Sequence, residues 1–166
     1  MTQKVSSTML ASSGTLPAWD GSALTNLDVD KLDDYEKGFF TPAITATTND
    51  HTYTLQVGWY VKIGVLVNYG GRLVINSIGS TSGNASLTGL PYSNTGTSNA
   101  WGGFTCGRGN NLAITANSHI AGFINQSSAI VTLRTWNSTI GGANTTFSEI
   151  GGVGGDLSFF GTYFAG

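Results

Sequence analysis

The sequence predicts an all-β domain, a β-sandwich or jelly roll, and three observations carry that prediction. Residues 57–76, VGWYVKIGVLVNYGGRLVIN, are apolar at every odd position from Val57 to Tyr69. That period of two suits a strand and not a helix. Glycine supplies 24 of 166 residues and charged residues only 10%, against about 7% and about 25% in an ordinary globular chain. After Gly38, short apolar runs recur between Gly, Asn, Asp and Pro turn formers. No run there is long enough for a helix, so no βαβ unit can be drawn. With 11% aromatic residues and a net charge of −2, the chain can bury a core and lacks the composition of a disordered one.

The elements follow in chain order. Residues 1–15 are rich in Ser and Thr without a sustained period and read as an arm, either free or ordered on a larger assembly. Residues 16–27, LPAWDGSALTNL, carry turn signals at Pro17 and Asp20-Gly21. Their apolar Leu16, Trp19 and Leu24 are unusual for a free linker and point to docking. Asp20, Asp28, Asp30, Asp33, Asp34 and Glu36 gather most of the nine acids into one stretch. This run reads as a solvated face, because its spacing does not fit an EF-hand loop. Asp28 is placed to cap a short helix carrying Val29, Leu32 and Tyr35 at spacings of three, a stripe suited to a neck where copies of the chain meet. The expected division is therefore 1–37 as arm and neck, and 38–166 as β-sandwich.

Pro42 fits an edge or first strand within residues 38–47. One straight strand from Val57 to Tyr69 would run to roughly 40 Å, well beyond the usual length. A break is expected at Gly64 or at Gly70-Gly71, with Gly70-Gly71 preferred. The odd face is expected to fill the core, with Tyr60 and Leu66 turned toward neighbouring copies. Lys62 is expected to pair with Asp50 or Asp156 or to lie at a solvent rim. Further strands are expected at 85–90, 101–107, 112–116, 119–124, 128–135 and 157–164, with a weak one near 145–150. Loops at 78–84, 92–100 and 136–155 are expected to face a partner.

Composition narrows the function. The seven Lys and Arg are scattered and form no basic stripe, which argues against nucleic-acid binding. Cys106 is alone, so neither an intrachain disulfide nor a Cys-based zinc site is expected. The N-terminal MTQKVSSTML lacks the apolar run of a signal peptide, and no segment reaches the ~18 apolar residues of a membrane helix. The expectation is a product made soluble in a cell, not exported by the usual signal and not inserted in a membrane. So little charge points to surface hidden in a homo-oligomer.

Several stretches resemble one known family. GFFTPAIT from Gly38, TYTLQVGWYVKIGVLVNYGGRLVI from Thr52, LTGLPY from Leu87, VTLRT from Val131 and the closing LSFFGTYF are similar to the head or knob domains of bacteriophage tail fibres, spikes and tail needles. The segment LPAWDGSALTNL also looks like one common before phage fibre domains. The resemblance implies a jelly-roll-like sandwich similar to tumour-necrosis-factor trimers. Three copies would pack around an axis, with the N-terminal part on other virion proteins and the knob pointing outward. The long shaft of many fibres is missing, so a short fibre, a knob on a stub or a capsid-bound spike is implied.

Within that frame the expected role is attachment of a virion to a host surface glycan or protein, without enzyme activity, cofactor or metal. The alternatives are a capsid decoration protein and, with least support, a glycan-degrading spike. The β region carries only Asp50, Glu149 and Asp156 as acids, which could meet as a glycosidase pair only by tertiary accident. His51 and His119 read as a turn and a strand histidine, and Cys106 has no visible base. Tyr92, Trp101, Arg108 and Trp136 lie in or beside loops and are the candidate receptor-binding residues, since aromatics stack on sugar rings and Arg bonds hydroxyls. The competing reading packs Trp101 and Trp136 in the core or a trimer interface. Val29, Leu32, Tyr35, Tyr60, Leu66 and Phe160 are the candidate trimer interface, and Leu16, Trp19 and Leu24 the candidate virion attachment.

Overall fold

The computed structural model describes residues 34–138 and 141–166. Leu16, Trp19, Leu24, Val29 and Leu32 lie outside these residues. The described chain is almost entirely β. Its strands are β1 (Tyr35–Phe40), β2 (Ala43–Thr45), β3 (Thr52–Ile63), β4 (Leu66–Ser77), β5 (Ser86–Thr88), β6 (Gly102–Asn110), β7 (His119–Ile124), β8 (Val131–Asn137), β9 (Gly141–Asn144) and β10 (Asp156–Phe164), with one helical turn, α1 (Phe147–Ile150), before β10.

The strands form a 10-stranded sheet in the order β1-β3-β4-β10-β6-β7-β8-β5-β2, with β9 added to β8. Every pairing is antiparallel. The strands at the two ends of this order, β1 and β2, are joined in the chain by Thr41 and Pro42 alone. The sheet must therefore roll until its ends meet, which gives a jelly-roll-like sandwich around one core. Pro42, with no N–H to offer a ladder, sits at the break between them.

The core is drawn from seven of the ten described strands: Ile44 of β2, Val67, Tyr69, Leu73 and Ile75 of β4, Leu87 of β5, Phe104 of β6, Ile120 and Ile124 of β7, Val131 and Leu133 of β8, and Leu157, Phe159 and Tyr163 of β10. Phe147 and Ile150 of α1 close one end. The Glu149 carboxylate accepts bonds from the Thr146 N–H at 2.7 Å and its hydroxyl at 2.9 Å, which fixes the start of that turn.

The organising stretch is a hairpin, and the break falls at Gly64 and not at Gly70-Gly71. Ile63 pairs with Leu66 across a two-residue turn, and Gly64 at φ 58° has the left-handed backbone that a tight hairpin needs at that position. Gly70 and Gly71 run straight within β4, opposite Trp59 and Gly58. A Cβ on Gly70 would come 2.6 Å from the Trp59 ring, so Gly70 is the floor on which that indole lies.

The hairpin also overturns the expected face. With a two-residue turn, each residue of β3 from Leu55 to Ile63 pairs with one of opposite parity on β4: Val61 with Asn68, Tyr60 with Tyr69, Trp59 with Gly70. The uninterrupted odd-position alternation thus changes sides at the turn. Val67 and Tyr69 enter the core, whereas Val57, Trp59, Ile63 and Val65 stay exposed. Tyr60 goes the other way: it shares a face with buried Tyr69 and packs at the rim of the core.

Three smaller expectations are also corrected. Residues 112–116 are not a strand: the Ala113 N–H bonds the Glu149 carbonyl, and Leu112 and Ile114 rest on the core from outside any ladder. The stretch 145–150 forms α1, and the weak strand lies earlier, at β9. Tyr35 opens β1, opposite Ile63, so it lies in a strand and not in the expected helix.

Candidate functional site

Alternation builds a groove on the outside of β7 and β8. In β7, Ile120 and Ile124 point into the core, which sends His119, Ala121 and Phe123 outward. In β8, Val131, Leu133 and Thr135 point inward and Thr132, Arg134 and Trp136 outward. Register sets Trp136 beside His119, Arg134 beside Ala121, and Thr132 beside Phe123. Ala121 is the small residue in the middle of this outer face, so the surface dips there between taller neighbours. The resulting groove, of about 530 Å³, is lined by Trp101, His119, Ala121, Gly122, Phe123, Arg134 and Trp136. That volume falls within the ~300–1,000 Å³ usual for small-ligand sites.

Both indoles are placed by their surroundings. Trp101 is 62% exposed and stacks on Phe123, with ring centroids 5.1 Å apart and an interplanar angle of 21°. The loop before it is anchored from below by buried Asn94, whose amide donates to the carbonyls of Ala100 at 2.7 Å and Ile124 at 3.2 Å. Trp136 is 45% exposed and lies against Gly142 of β9, where a Cβ would come within 3.0 Å of the ring. Arg134 is held between them, donating to the Asn144 side chain and to the Gly142 carbonyl. β9 therefore serves as a clamp that fixes one indole and one guanidinium at the groove wall.

Of the four candidate receptor-binding residues, Trp101 and Trp136 come together in this groove and the other two lie elsewhere. Tyr92 belongs to a cluster at the β1–β3 edge. Its ring meets Tyr60 edge-on at 5.7 Å, and the Lys62 ammonium sits 5.7 Å from its centroid. Tyr60 donates to Glu36 at 2.7 Å. The hydroxyls of Tyr92 and Tyr60 hold the Glu36 carboxyl below its usual range, and burial pushes the Tyr92 phenol well above its own. Lys62 thus lies over Tyr92 and near Glu36, and pairs with neither Asp50 nor Asp156.

Arg108 is in the middle of the sheet order, on β6. The pairing of β6 with β10 slips between Ser158 and Phe159, leaving Gly107 as a bulge between Cys106 and Arg108. That one-residue slip turns Arg108 to the outer face. There Arg108 at 2.8 Å and Arg72 at 2.9 Å both bond the Asp156 carboxylate. The bond from Arg72 is the main cause holding that carboxyl below its usual range. Both guanidiniums are about half exposed while Asp156 is covered, so this triad caps the outer face.

The remaining chemistry is spread apart. Asp50 accepts from the Ser80 N–H at 3.2 Å and hydroxyl at 3.1 Å, pinning the 78–84 loop. His51 bonds Thr81 at 3.1 Å and the Tyr53 hydroxyl at 2.7 Å, and burial lowers its pKa. Burial pushes the Cys106 thiol up, the opposite of what a nucleophile needs. None of Asp50, Glu149 and Asp156 lines the groove.

Arg134, His119 and Phe123 are site residues that sequence reasoning missed. A signal was present: in VTLRTW, Arg134 falls at an outward position between two inward ones, with Trp136 next on the same face. What brings Trp101 to them is the β6–β7 pairing of Gly103 with Phe123, which no spacing reveals.

A second feature is apolar. Across β1, β3, β4 and β10, one row of partners runs Phe39, Trp59, Gly70, Phe160 and another Tyr35, Ile63, Leu66, Phe164, with the row Lys37, Val61, Asn68, Thr162 between them. Phe39 is 86% exposed, and Trp59, Ile63, Phe160 and Phe164 are each 45% or more. Tyr35, Leu66 and Phe160 thus share the outer face of this half of the sheet, and Tyr60 does not.

No protein-family model matches the chain, and no curated protein matches it. Among solved structures the chain is similar to the Dettilon tailspike protein, with a TM-score of 0.68 and 18% identity over 80% of this chain. The matched part is 24% of the tailspike chain. The likeness is one of fold: the rolled antiparallel sheet described above recurs as a fraction of that larger protein.

Proposed function

We propose that this chain is the head of a short bacteriophage fibre or spike, and that it attaches the particle to a glycan on the host surface through the Trp101–Trp136 groove. The observation that carries the reading is the pairing of two exposed, rigidly seated indoles across a concave surface. Flat aromatic faces are what sugar rings stack on, and the guanidinium between them is a hydrogen-bond donor for hydroxyls. The fold shared with part of a tailspike and the sequence resemblance to phage knobs supply the setting.

In this reading the head is a homotrimer on the virion, anchored to other virion proteins through residues 1–37, and not an enzyme. The exposed row of Phe39, Trp59 and Phe160 supports an interface between copies, because a contiguous apolar patch of this kind marks an association surface. The number three comes from the family resemblance. Each acid of the β region is engaged by its own partner away from the groove, which favours binding over glycoside cleavage. Three weak sites on one rigid head then gain avidity without any new contact.

The test is binding of the fluorescently labelled full chain to a panel of bacterial strains. A bound strain is expected, with binding reduced at least about tenfold by Trp136→Ala and by Trp101→Ala, a loss of about 1.4 kcal/mol per site. Binding that survives both substitutions would move the receptor site elsewhere on the head. A chain that binds no strain, on particles that infect normally without it, would favour capsid decoration.

A further inference from the structure

The groove has a charge as well as a shape. Its lining contains a guanidinium, Arg134, an imidazole, His119, and no carboxylate. Elsewhere on the head each described arginine faces a carboxylate: Arg72 and Arg108 share Asp156. Arg134 differs. Its side-chain partners are an amide oxygen on Asn144 and a backbone carbonyl on Gly142, neither of which carries a charge. Two of its five N–H donors, one on each terminal nitrogen, go to β9, and the side chain lines the groove with no carboxylate beside it. The bonds to β9 immobilise it before any ligand arrives, so little side-chain entropy is lost on binding.

We infer that the groove selects an acidic saccharide, one whose sugar ring stacks on Trp136 or Trp101 while its carboxylate is held by Arg134. This deepens, and rests on, the proposal that the groove is the glycan site. Stacking alone is indifferent to charge. A neutral sugar would leave the guanidinium without a counter-charge in a partly enclosed site, whereas a uronate-type carboxylate supplies that charge and accepts from the N–H groups that β9 leaves unused. Ala121, directly opposite Arg134 in the ladder, leaves the space in which the carboxylate would sit.

The experiment uses the full chain on an array of bacterial surface polysaccharides, neutral and uronate-containing, together with carboxyl-reduced forms of each acidic one. Reduction converts the carboxylate to a hydroxymethyl group and leaves ring and linkage unchanged. Acidic polysaccharides are expected to bind, their reduced forms at least about tenfold more weakly, and Arg134→Gln is expected to erase that difference while Trp136→Ala weakens both forms. Because reduction changes the ligand and not the protein, the comparison holds even if Arg134→Gln loosens β9. Equal binding of native and reduced forms would overturn the acidic preference and leave the groove as a sugar site. Binding unaffected by Trp136→Ala, or an array without hits for a chain that still binds cells, would overturn the groove assignment itself.

Discussion

His51 and Asp156 show how single side chains tie this fold to pH. The two nitrogens of His51 are bonded to Thr81 and Tyr53, and its ring lies 4.6 Å from Phe147. One nitrogen donating and one accepting suits the neutral ring, and burial lowers its pKa below 6.5. The unfolded chain therefore binds the proton more readily than the folded one. The stability this contributes is present above about pH 6.5 and is lost as pH falls through the folded value. Asp156 and Glu36 follow the same sign lower down: both carboxyls are held below their usual values, so their contribution is lost as pH falls below about 4. A urea midpoint followed from pH 8 to pH 3 is expected to decline in these two windows. His51→Gln is expected to flatten the upper one, and a midpoint level from pH 7.5 to pH 5.5 would contradict it.

At the scale of elements, β8 and the β3–β4 hairpin make separable predictions. Leu133 and Trp136 are on opposite faces of the same strand. Leu133→Ala opens a cavity in the core and is expected to cost about 2–5 kcal/mol, whereas Trp136→Ala is expected to change stability by under about 1 kcal/mol and to affect binding instead. Comparable losses in chemical denaturation would mean that Trp136 is structural. In the hairpin, a β-branched residue is strained at the left-handed backbone of Gly64. Gly64→Val is expected to cost about 1–2 kcal/mol, and Gly64→Asn clearly less, because Asn tolerates that conformation. Nothing lies within 4 Å of the site, so backbone strain alone is measured.

At the scale of the whole molecule, the two outer faces are built for different neighbours. The β7–β8 face is concave and carries an unmatched charge. The face across β1, β3, β4 and β10 carries rows of exposed apolar side chains, with Phe39 almost wholly exposed. If that face joins copies of the chain, Trp59→Glu with Phe160→Glu is expected to convert an oligomer to a monomer in sedimentation or light scattering while circular dichroism stays unchanged. Both residues point away from the core, so folding is not at stake. A wild-type chain that is monomeric at micromolar concentration would rule the interface out.

The sequence by itself determined the fold class. Period-two runs, β-branched and aromatic residues and frequent turn formers leave an all-β sandwich as the consistent outcome, and most strands fall where those runs do. It also marked Trp101 and Trp136, because large aromatics beside turn residues are conspicuous in one dimension. Only the tertiary structure decided which face each residue serves. An alternation that runs unbroken through Gly64 cannot show that a two-residue turn exchanges inside for outside, since that depends on which residues pair across the hairpin. Nor can spacing show that Trp101, Phe123, Arg134 and Trp136 converge, because they meet through the antiparallel register of β6, β7 and β8. The slip at Gly107 that turns Arg108 toward Asp156 has the same origin: strand pairing is a relation between distant segments, whereas the sequence pattern is local to each.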